Sequence, residues 1–395
     1  MEISVIGLGY IGLPTAIAFA SNGYRVLGYD VNEKAVDMLN EGHLHIVENG
    51  LQDELQKVIN SCMFSAHHEL QEADVYIICV PTPFHHDTPE KTADLSYVEA
   101  AAREVGRILK LGDLVILEST VPPYTTRKMT DILCEVSGLG RDEFYTAHCP
   151  ERVLPGHILY ELSHNDRIIG AEKKDAALKA KWIYESFLKE GTAHITDDLT
   201  AEMCKLVENS FRDVNIAFAN ELSILCDDLG IDVNRLIELA NKHPRVQILN
   251  PGVGVGGHCI SVDPWFIIEK FGNEAKLISA ARNINDSKPF FVADKIEERL
   301  KNNKSKTVAI LGLAFKANID DLRESPSIIL AEELKNRGYD VIACEPNTEE
   351  KEKNGIKIYS LDEVLEKADL SVLTVKHDVF MKNLDKIEEK EHLIV

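Results

Sequence analysis

A chain of 395 residues is too long for one ordinary core and, at roughly 100 to 200 residues per domain, implies two or three. With 45% hydrophobic and 27% charged residues it reads as a globular protein, and a formal net charge of −22 argues against a nucleic-acid partner, because a polyanion would be repelled. No apolar run nears the ~18 residues of a membrane helix, the N-terminus has no basic leader, and eight cysteines without Cys-x-x-Cys spacing fit a cytoplasmic protein with no metal site.

The first thirty residues read strand, turn, helix, strand, acid. Ile3 to Ile6 is a short apolar run, Gly7-Leu8-Gly9-Tyr10-Ile11-Gly12 follows, a helical pattern reaches Ala20, and Tyr24 to Tyr29 ends on Asp30. In such a unit Gly7 permits the tight turn, Gly9 lets a pyrophosphate approach, and Gly12 lets helix and strand pack closely. The six-residue turn, Tyr10 and Ile11 included, is therefore expected to bind NAD. Asp30 is expected on the adenine ribose, where its charge would repel the extra phosphate of NADP.

Further strands are expected at Ala73–Val80, Leu114–Leu117, Tyr145–Cys149 and Arg167–Gly170, and a helix at Lys179–Leu188. In a doubly wound sheet ligands bind beyond the carboxyl ends of the strands, so Thr82 and Thr120 are candidates for lining the nicotinamide side. The alternative for both is an ordinary strand-end turn. His85-His86-Asp87 reads as a solvated loop, since no partner pair stands at zinc spacing.

After Asp197-Asp198 the pattern becomes helical. Thr200 to Leu229 has no breaker and ends at Gly230, which predicts one helix roughly 45 Å long. Cys204, Val207, Phe211, Val214, Phe218, Leu222 and Leu225 form its apolar stripe, and an exposed length of this kind asks for a second copy of the chain. Lys205, Asn209 and Arg212 fall at i, i+4 and i+7, a donor cluster suited to an anionic substrate or an oxyanion, or else a plain polar face.

A helix is expected from Val233 to Ala240, and then comes Pro251-Gly252-Val253-Gly254-Val255-Gly256-Gly257-His258-Cys259-Ile260-Ser261-Val262-Asp263. Four glycines let the backbone fold tightly and approach a ligand. Cys259 then stands as a candidate nucleophile with Asp263 four residues on, the alternative being a buried structural thiol. Helical patterns follow at Trp265–Phe271 and Glu274–Leu300, with an interruption expected at Pro289 and a linker at Lys301–Lys306.

The last hundred residues repeat the α/β pattern, with strands at Thr307–Leu311, Tyr339–Ala343 and Leu370–Val375 and a helix at Ser327–Asn336. Their turn, Gly312-Leu313-Ala314-Phe315-Lys316, lacks the second and third glycines and is not expected to hold a dinucleotide in the same manner. Lys316 and Arg323-Glu324-Ser325-Pro326 allow a nucleotide of different phosphate geometry. Glu345–Asn354 reads as a solvated charged loop. The expected layout is α/β with three parts: a Rossmann NAD domain over 1–196, a central all-helical domain with one long helix over 197–302, and a Rossmann-like domain over 303–395.

Taken together, Gly7–Gly12, Glu118-Ser119-Thr120, Cys149-Pro150-Glu151-Arg152, Lys205 with Glu208-Asn209, the glycine loop with Cys259 and Asp263, and Arg323–Pro326 resemble the UDP-glucose/GDP-mannose dehydrogenases, a family of nucleotide-sugar 6-dehydrogenases. The resemblance spans essentially the whole chain. Arg152–Gly156, Phe211–Asn215 and His243–Val246 resemble the branch whose substrate is UDP-N-acetyl-D-mannosamine. It implies oxidation at C6 in two NAD-dependent steps, with Cys259 carrying a thiohemiacetal and then a thioester.

The resemblance assigns Lys205 and Asn209 to the C6 oxygen, Asp263 and Thr120 to the water, and Glu151 to thioester hydrolysis. It places Arg152, Val153, Arg212, His243, Arg245 and Gly256 on the UDP-sugar, with Arg245 donated by a neighbouring subunit of a homodimer. Phe315 and Lys316 would close the uridine and phosphate end, and Arg323 would reach NAD. Three positions depart from the family pattern. Val253 replaces a frequent proline, which implies a looser loop. Pro155 replaces a second glutamate of the UDP-glucose enzymes, and the sequence stops at Val395 where relatives usually continue. Two other classes stay open: a two-electron 3-hydroxyacid-type dehydrogenase, which needs no cysteine, and a non-catalytic NAD-binding protein.

Overall fold

The computed structural model describes residues 1–85, 91–154, 156–301 and 307–395. His86 and Asp87, Pro155 and residues 302–306 of the expected linker lie outside the described residues. The chain divides into two compact units, Met1–Glu208 and Asn209–Val395.

Unit one is built on eight strands: β1 (Glu2–Ile6), β2 (Arg25–Tyr29), β3 (Phe64–His67), β4 (Val75–Ile78), β5 (Leu114–Leu117), β6 (Tyr145–His148), β7 (Arg167–Gly170) and β8 (Ala193–Thr196). Their order is β3-β2-β1-β4-β5-β6-β7-β8. From β3 to β6 all neighbours are parallel, while β7 runs antiparallel to β6 and parallel to β8. Central strands such as Val75–Ile78 and Leu114–Leu117 are buried along their whole length because helices cover both faces, which is why they read as unbroken apolar runs. Strand order reverses between β1 and β4, and ligands of such sheets bind at that reversal.

Unit two contains β9 (Thr307–Leu311), β10 (Asp340–Cys344), β11 (Glu352–Lys353), β12 (Ile356–Ile358), β13 (Leu370–Leu373) and β14 (His392–Ile394). They form a sheet of order β11-β12-β10-β9-β13-β14, parallel except for β11. Among the described residues no helix is long and apolar enough to cross a membrane.

Three expectations are corrected. The helix expected at Lys179–Leu188 runs from Lys174 to Tyr184, because Ala176, Ala177 and Ala180 are strong helix formers that carry it further back and pack inward. The helix Lys276–Leu300 continues through Pro289 without interruption. Proline lacks the N–H that would bond to the Asn285 carbonyl. That carbonyl instead faces Gly254, where an added Cβ would lie 3.0 Å from the oxygen.

The long helix spans Asp198–Leu229; of its expected apolar stripe Val207 (45%), Phe211 (71%), Phe218 (50%) and Leu225 (54%) are exposed and Cys204, Val214 and Leu222 half-buried. Leu206, Ser210, Asp213, Ala217 and Asn220 are the buried face. Periodicity finds a face and does not say what covers it. Finally, the segment read as a solvated loop opens with the buried Glu345 and includes the strand β11.

Candidate active site

Gly7 follows β1 at φ +89°, donates its N–H to the Tyr29 carbonyl at 2.8 Å, and has no room for a Cβ, which would lie 2.8 Å from the Cys79 carbonyl oxygen. At Gly12 the added atom would lie 1.8 Å from the Gly7 carbonyl oxygen, so helix Gly12–Ser21 can start here only on a glycine. A Cβ on Gly9 would meet nothing within 4 Å. Beside that opening the helix N-terminus carries no side-chain cap; Leu13 N and Thr15 N donate to the Gly9 and Ile11 carbonyls at 3.1 Å and Pro14 has no N–H, so Gly12 is the first-turn residue whose N–H is left for a phosphate among the described residues. Asp30 accepts from Leu8 N at 2.7 Å and from Asn32 N at 2.8 Å, so its carboxylate is fixed at the end of β2, beside the turn. These residues fit a bound dinucleotide, with Tyr10 exposed and Ile11 half-buried at the rim. Across the strand-order reversal, Thr82 Oγ1 donates to the Thr120 carbonyl at 2.6 Å, which brings the two expected threonines together.

Glu151 follows β6 and is buried. Its Oε1 accepts from Arg152 N at 2.6 Å and its Oε2 from Arg167 Nη2 at 2.8 Å. The same guanidinium reaches Glu118 Oε1 through Nη1 at 3.1 Å, and Cys79 Sγ donates to Glu118 Oε2 at 3.0 Å. Burial raises the Glu118 pKa, with Arg167 opposing and Glu151 adding to the rise. The sequence reading noted Glu118 within a motif and Arg167 within a strand but gave neither a role. A buried Arg flanked by two Glu can be found only once β5, β6 and β7 are known to be neighbours.

Arg152, expected on the substrate, binds Glu208 through Nη2 at 2.7 Å and Nε at 3.1 Å, and Nη1 donates to the Asp166 carbonyl. Val153 packs against the apolar core of its unit. Lys205 is half-buried, with no hydrogen bond or ion pair drawn to it among the described residues.

In unit two the glycine loop is held at several points. Gly252 N donates to Asn220 Oδ1 at 2.9 Å, and Asn220 Nδ2 donates to Asn285 Oδ1 at 2.8 Å. Asn285 Nδ2 donates to Asp213 Oδ1 at 2.8 Å, and Arg282 Nη1 to the same oxygen at 2.5 Å. This buried polar ladder was missed, although Asp213 and Asn220 stand seven residues apart and so share a face. Val253, which departs from the family pattern, is 4% exposed and belongs to the core of this unit.

Further along, Gly257 N donates to the Arg323 carbonyl at 3.1 Å. Phe315 lies against the loop: a Cβ on Gly256 would be 2.7 Å from Phe315 Cβ, and one on Gly257 2.9 Å from its ring. Cys259 is partly exposed, and its carbonyl accepts from Val262 N and Asp263 N at 3.0 and 2.8 Å, which starts helix Asp263–Phe271. Asp263, 3% exposed, accepts from Asn209 Nδ2 at 2.5 Å. Asn209 is therefore turned inward while Arg212 is exposed, and the expected donor cluster is not one environment. Arg323 forms a two-point pair with Asp321 and contacts His258 Nδ1 at 3.1 Å. His243, Arg245 and Lys316 are exposed. Among the described residues no cluster suits a metal ion.

Comparison with known proteins matches three family models: the NAD binding domain of the UDP-glucose/GDP-mannose dehydrogenase family over residues 1–188, its central domain over 199–287 and its UDP binding domain over 309–395. The chain is 48% identical to UDP-N-acetyl-D-mannosamine dehydrogenase of Campylobacter jejuni, covering 96% of each. It is 46% identical to NDP-N-acetyl-D-galactosaminuronic acid dehydrogenase of Ralstonia nicotianae, covering 98% of this chain and 94% of the relative. A solved UDP-D-ManNAc dehydrogenase from Pyrococcus horikoshii superposes with a TM-score of 0.90 at 41% identity, covering 100% of this chain and 94% of the other. The chain thus belongs to the UDP-glucose/GDP-mannose dehydrogenase family and is an NAD-dependent nucleotide-sugar dehydrogenase.

Proposed function

We propose that this chain oxidises UDP-N-acetyl-D-mannosamine at C6 to UDP-N-acetyl-D-mannosaminuronate, a precursor for bacterial surface polysaccharide. The observation that carries the reading is Cys259, a partly exposed thiol on a glycine loop held by Asn220 at one end and the Arg323 carbonyl at the other. Bound NAD supplies the hydride acceptor for each of the two oxidations. Lys205 takes the proton from the C6 hydroxyl and stabilises the oxyanion, with Asn209 donating beside it. Cys259 adds to the aldehyde and holds the carbon as a thiohemiacetal and then as a thioester. Asp263 and Thr120 orient water, and Glu151 takes its proton in hydrolysis. Arg152, Val153, Arg212, His243, Gly256, Phe315 and Lys316 serve the UDP-sugar, and Arg323 serves NAD.

The working unit in this reading is a homodimer joined along Val207, Phe211, Phe218 and Leu225, whose exposure leaves apolar area uncovered. Arg245 then completes the sugar pocket of the neighbouring copy. Its functional parts are 1–196, 197–302 and 303–395. Eight free thiols suit the reducing cytoplasm.

The test is an NADH assay with UDP-N-acetylmannosamine, UDP-N-acetylgalactosamine, UDP-N-acetylglucosamine and UDP-glucose side by side. We expect two NADH per mannosamine nucleotide, and at least a ~100-fold loss of acid formation in Cys259→Ser. One NADH per sugar, or acid at an undiminished rate in the serine variant, ends the four-electron reading. The Ralstonia nicotianae relative favours a second reading, an N-acetylgalactosamine nucleotide, and preferential turnover of that sugar would establish it.

A further inference from the structure

Unit one buries two carboxylates against one guanidinium. Arg167 has a 4% exposed side chain, lies 4.6 Å from the Tyr184 ring centre and 5.2 Å from that of Phe187, and cannot swing out to water. Glu118 and Glu151 bind its two terminal nitrogens. With both ionised the trio carries a net negative charge in a region shielded from solvent, so the carboxylates compete for the one cation.

Glu118 has further donors in Tyr184 Oη at 3.3 Å and Cys79 Sγ at 3.0 Å. Glu151 has the Arg152 N–H. The groups facing Glu118 are Cys79 after β4, Cys149 and Glu151 after β6, Arg167 of β7 and Tyr184 of the following helix, each a source of its electrostatic setting.

We propose that Glu118 is a positioning residue for thioester hydrolysis: by competing for Arg167 it sets how firmly Glu151 is held as a carboxylate, and so how strong a base Glu151 is. The inference rests on the proposed role of Glu151. In that step water oxygen adds to the thioester carbonyl carbon and its proton passes to Glu151. The C–S bond then breaks with its electron pair left on the Cys259 sulfur. A carboxylate that had Arg167 to itself would be a weaker base than one that shares the cation.

The experiment is quenched flow with UDP-N-acetylmannosamine and NAD, following acid release after the NADH burst as a function of pH. Glu118→Gln leaves Arg167 to Glu151 alone, so the acidic limb of hydrolysis should move down by about one pH unit. Tyr184→Phe keeps the ring on Arg167 but removes a donor that favours ionised Glu118. It should move the limb the same way by less. A purely structural role would alter Tm or the plateau rate without moving the limb.

An unmoved or upward-moving limb in Glu118→Gln overturns the inference, and if that variant does not fold, an unmoved limb in Tyr184→Phe does so. Failure of the underlying reading looks different. Wild-type protein would then release no acid, or give one NADH per sugar, before any variant is compared.

Discussion

Gly7 and Gly312 stand at equivalent points of two sheets. Each follows a first strand, each has positive φ (+89° and +101°), and each donates to the last residue of the adjoining strand, Tyr29 at 2.8 Å and Cys344 at 2.9 Å. The next residue along that adjoining strand is an acid in both cases, Asp30 or Glu345. There the two turns part. Asp30 accepts from Leu8 N and leaves the opening at Gly9 clear. Glu345 Oε2 accepts from both Leu313 N and Ala314 N, at 2.7 and 2.9 Å, and its carboxylate sits where an anionic ligand of the turn would otherwise bind. His377 closes the arrangement. Its Nδ1 accepts from Asn318 N at 2.9 Å, which puts the ring proton on Nε2, 3.3 Å from Glu345. In one turn the acid takes a single N–H and the space over Gly9 stays clear, and in the other the acid takes two.

The largest effect should come from Gly12→Ala. Its Cβ would meet the Gly7 carbonyl oxygen at 1.8 Å, backbone against backbone, so the turn must open. We expect NAD affinity to fall at least ~100-fold, about 2.7 kcal/mol, in a fluorescence titration. Ala314→Gly supplies the missing glycine to the second turn, and the titration should still give one NAD per chain. A second site in that variant would break the comparison, because glycine rather than Glu345 would then have been the barrier.

Exchanging the acids for alanine separates their roles. Glu345→Ala leaves two buried N–H groups without acceptors, which costs about 3 kcal/mol in denaturant melts. Asp30→Ala should cost about 1 kcal/mol, but NAD should lose its preference over NADP by ~10-fold or more. Equal stability losses in the two variants would mean that the turns are not specialised as described.

The N-terminal turn was legible because its pattern is local: strand, three glycines, helix and acid fall within thirty residues, and steric need dictates Gly7 and Gly12 while the space over Gly9 is clear. In the glycine loop the same steric need holds at Gly254, Gly256 and Gly257, where an added Cβ would lie within 3.0 Å of Pro326, the Glu324 carbonyl and Phe315. Glu345 was misread because a charged run looks solvated in sequence, and only the pairing of β9 with β10 brings that acid onto Leu313 and Ala314. Asp213, Asn220, Arg282 and Asn285 were passed over because a buried ladder of polar groups gives no hydrophobic signal. The long helix showed the converse, since Val207, Phe211, Phe218 and Leu225 give a hydrophobic signal and are exposed among the described residues.

Buried imidazoles extend the contrast to acid stability. His377 Nε2 lies 3.3 Å from a Glu345 carboxylate oxygen, whereas His148 at the end of β6 is fully buried and among the described residues no side chain hydrogen-bonds to its ring. Burial pushes the His148 pKa down from 6.5 to about 3. A lowered histidine pKa means the unfolded chain binds the proton first, so stability is lost as pH falls from 6.5 toward 3. For Glu345 burial raises the pKa, but the His377 and Ala314 donors outweigh it and the net shift is downward. Its contribution persists above the usual carboxylate range and is lost only as pH falls through its lowered value. His148→Leu removes no side-chain partner, so at pH 8, where the imidazole is neutral, it should match wild type within about 1 kcal/mol. Below pH 6.5 the variant should gain on wild type by about 1.4 kcal/mol per pH unit, reaching ~2 kcal/mol at pH 5. Because each comparison is made at one pH against wild type, the opposing titration of Glu118 is common to both and cancels. A difference that stayed flat between pH 8 and pH 5 would show that the imidazole is hydrated or paired in solution, and the contrast with His377 would be lost.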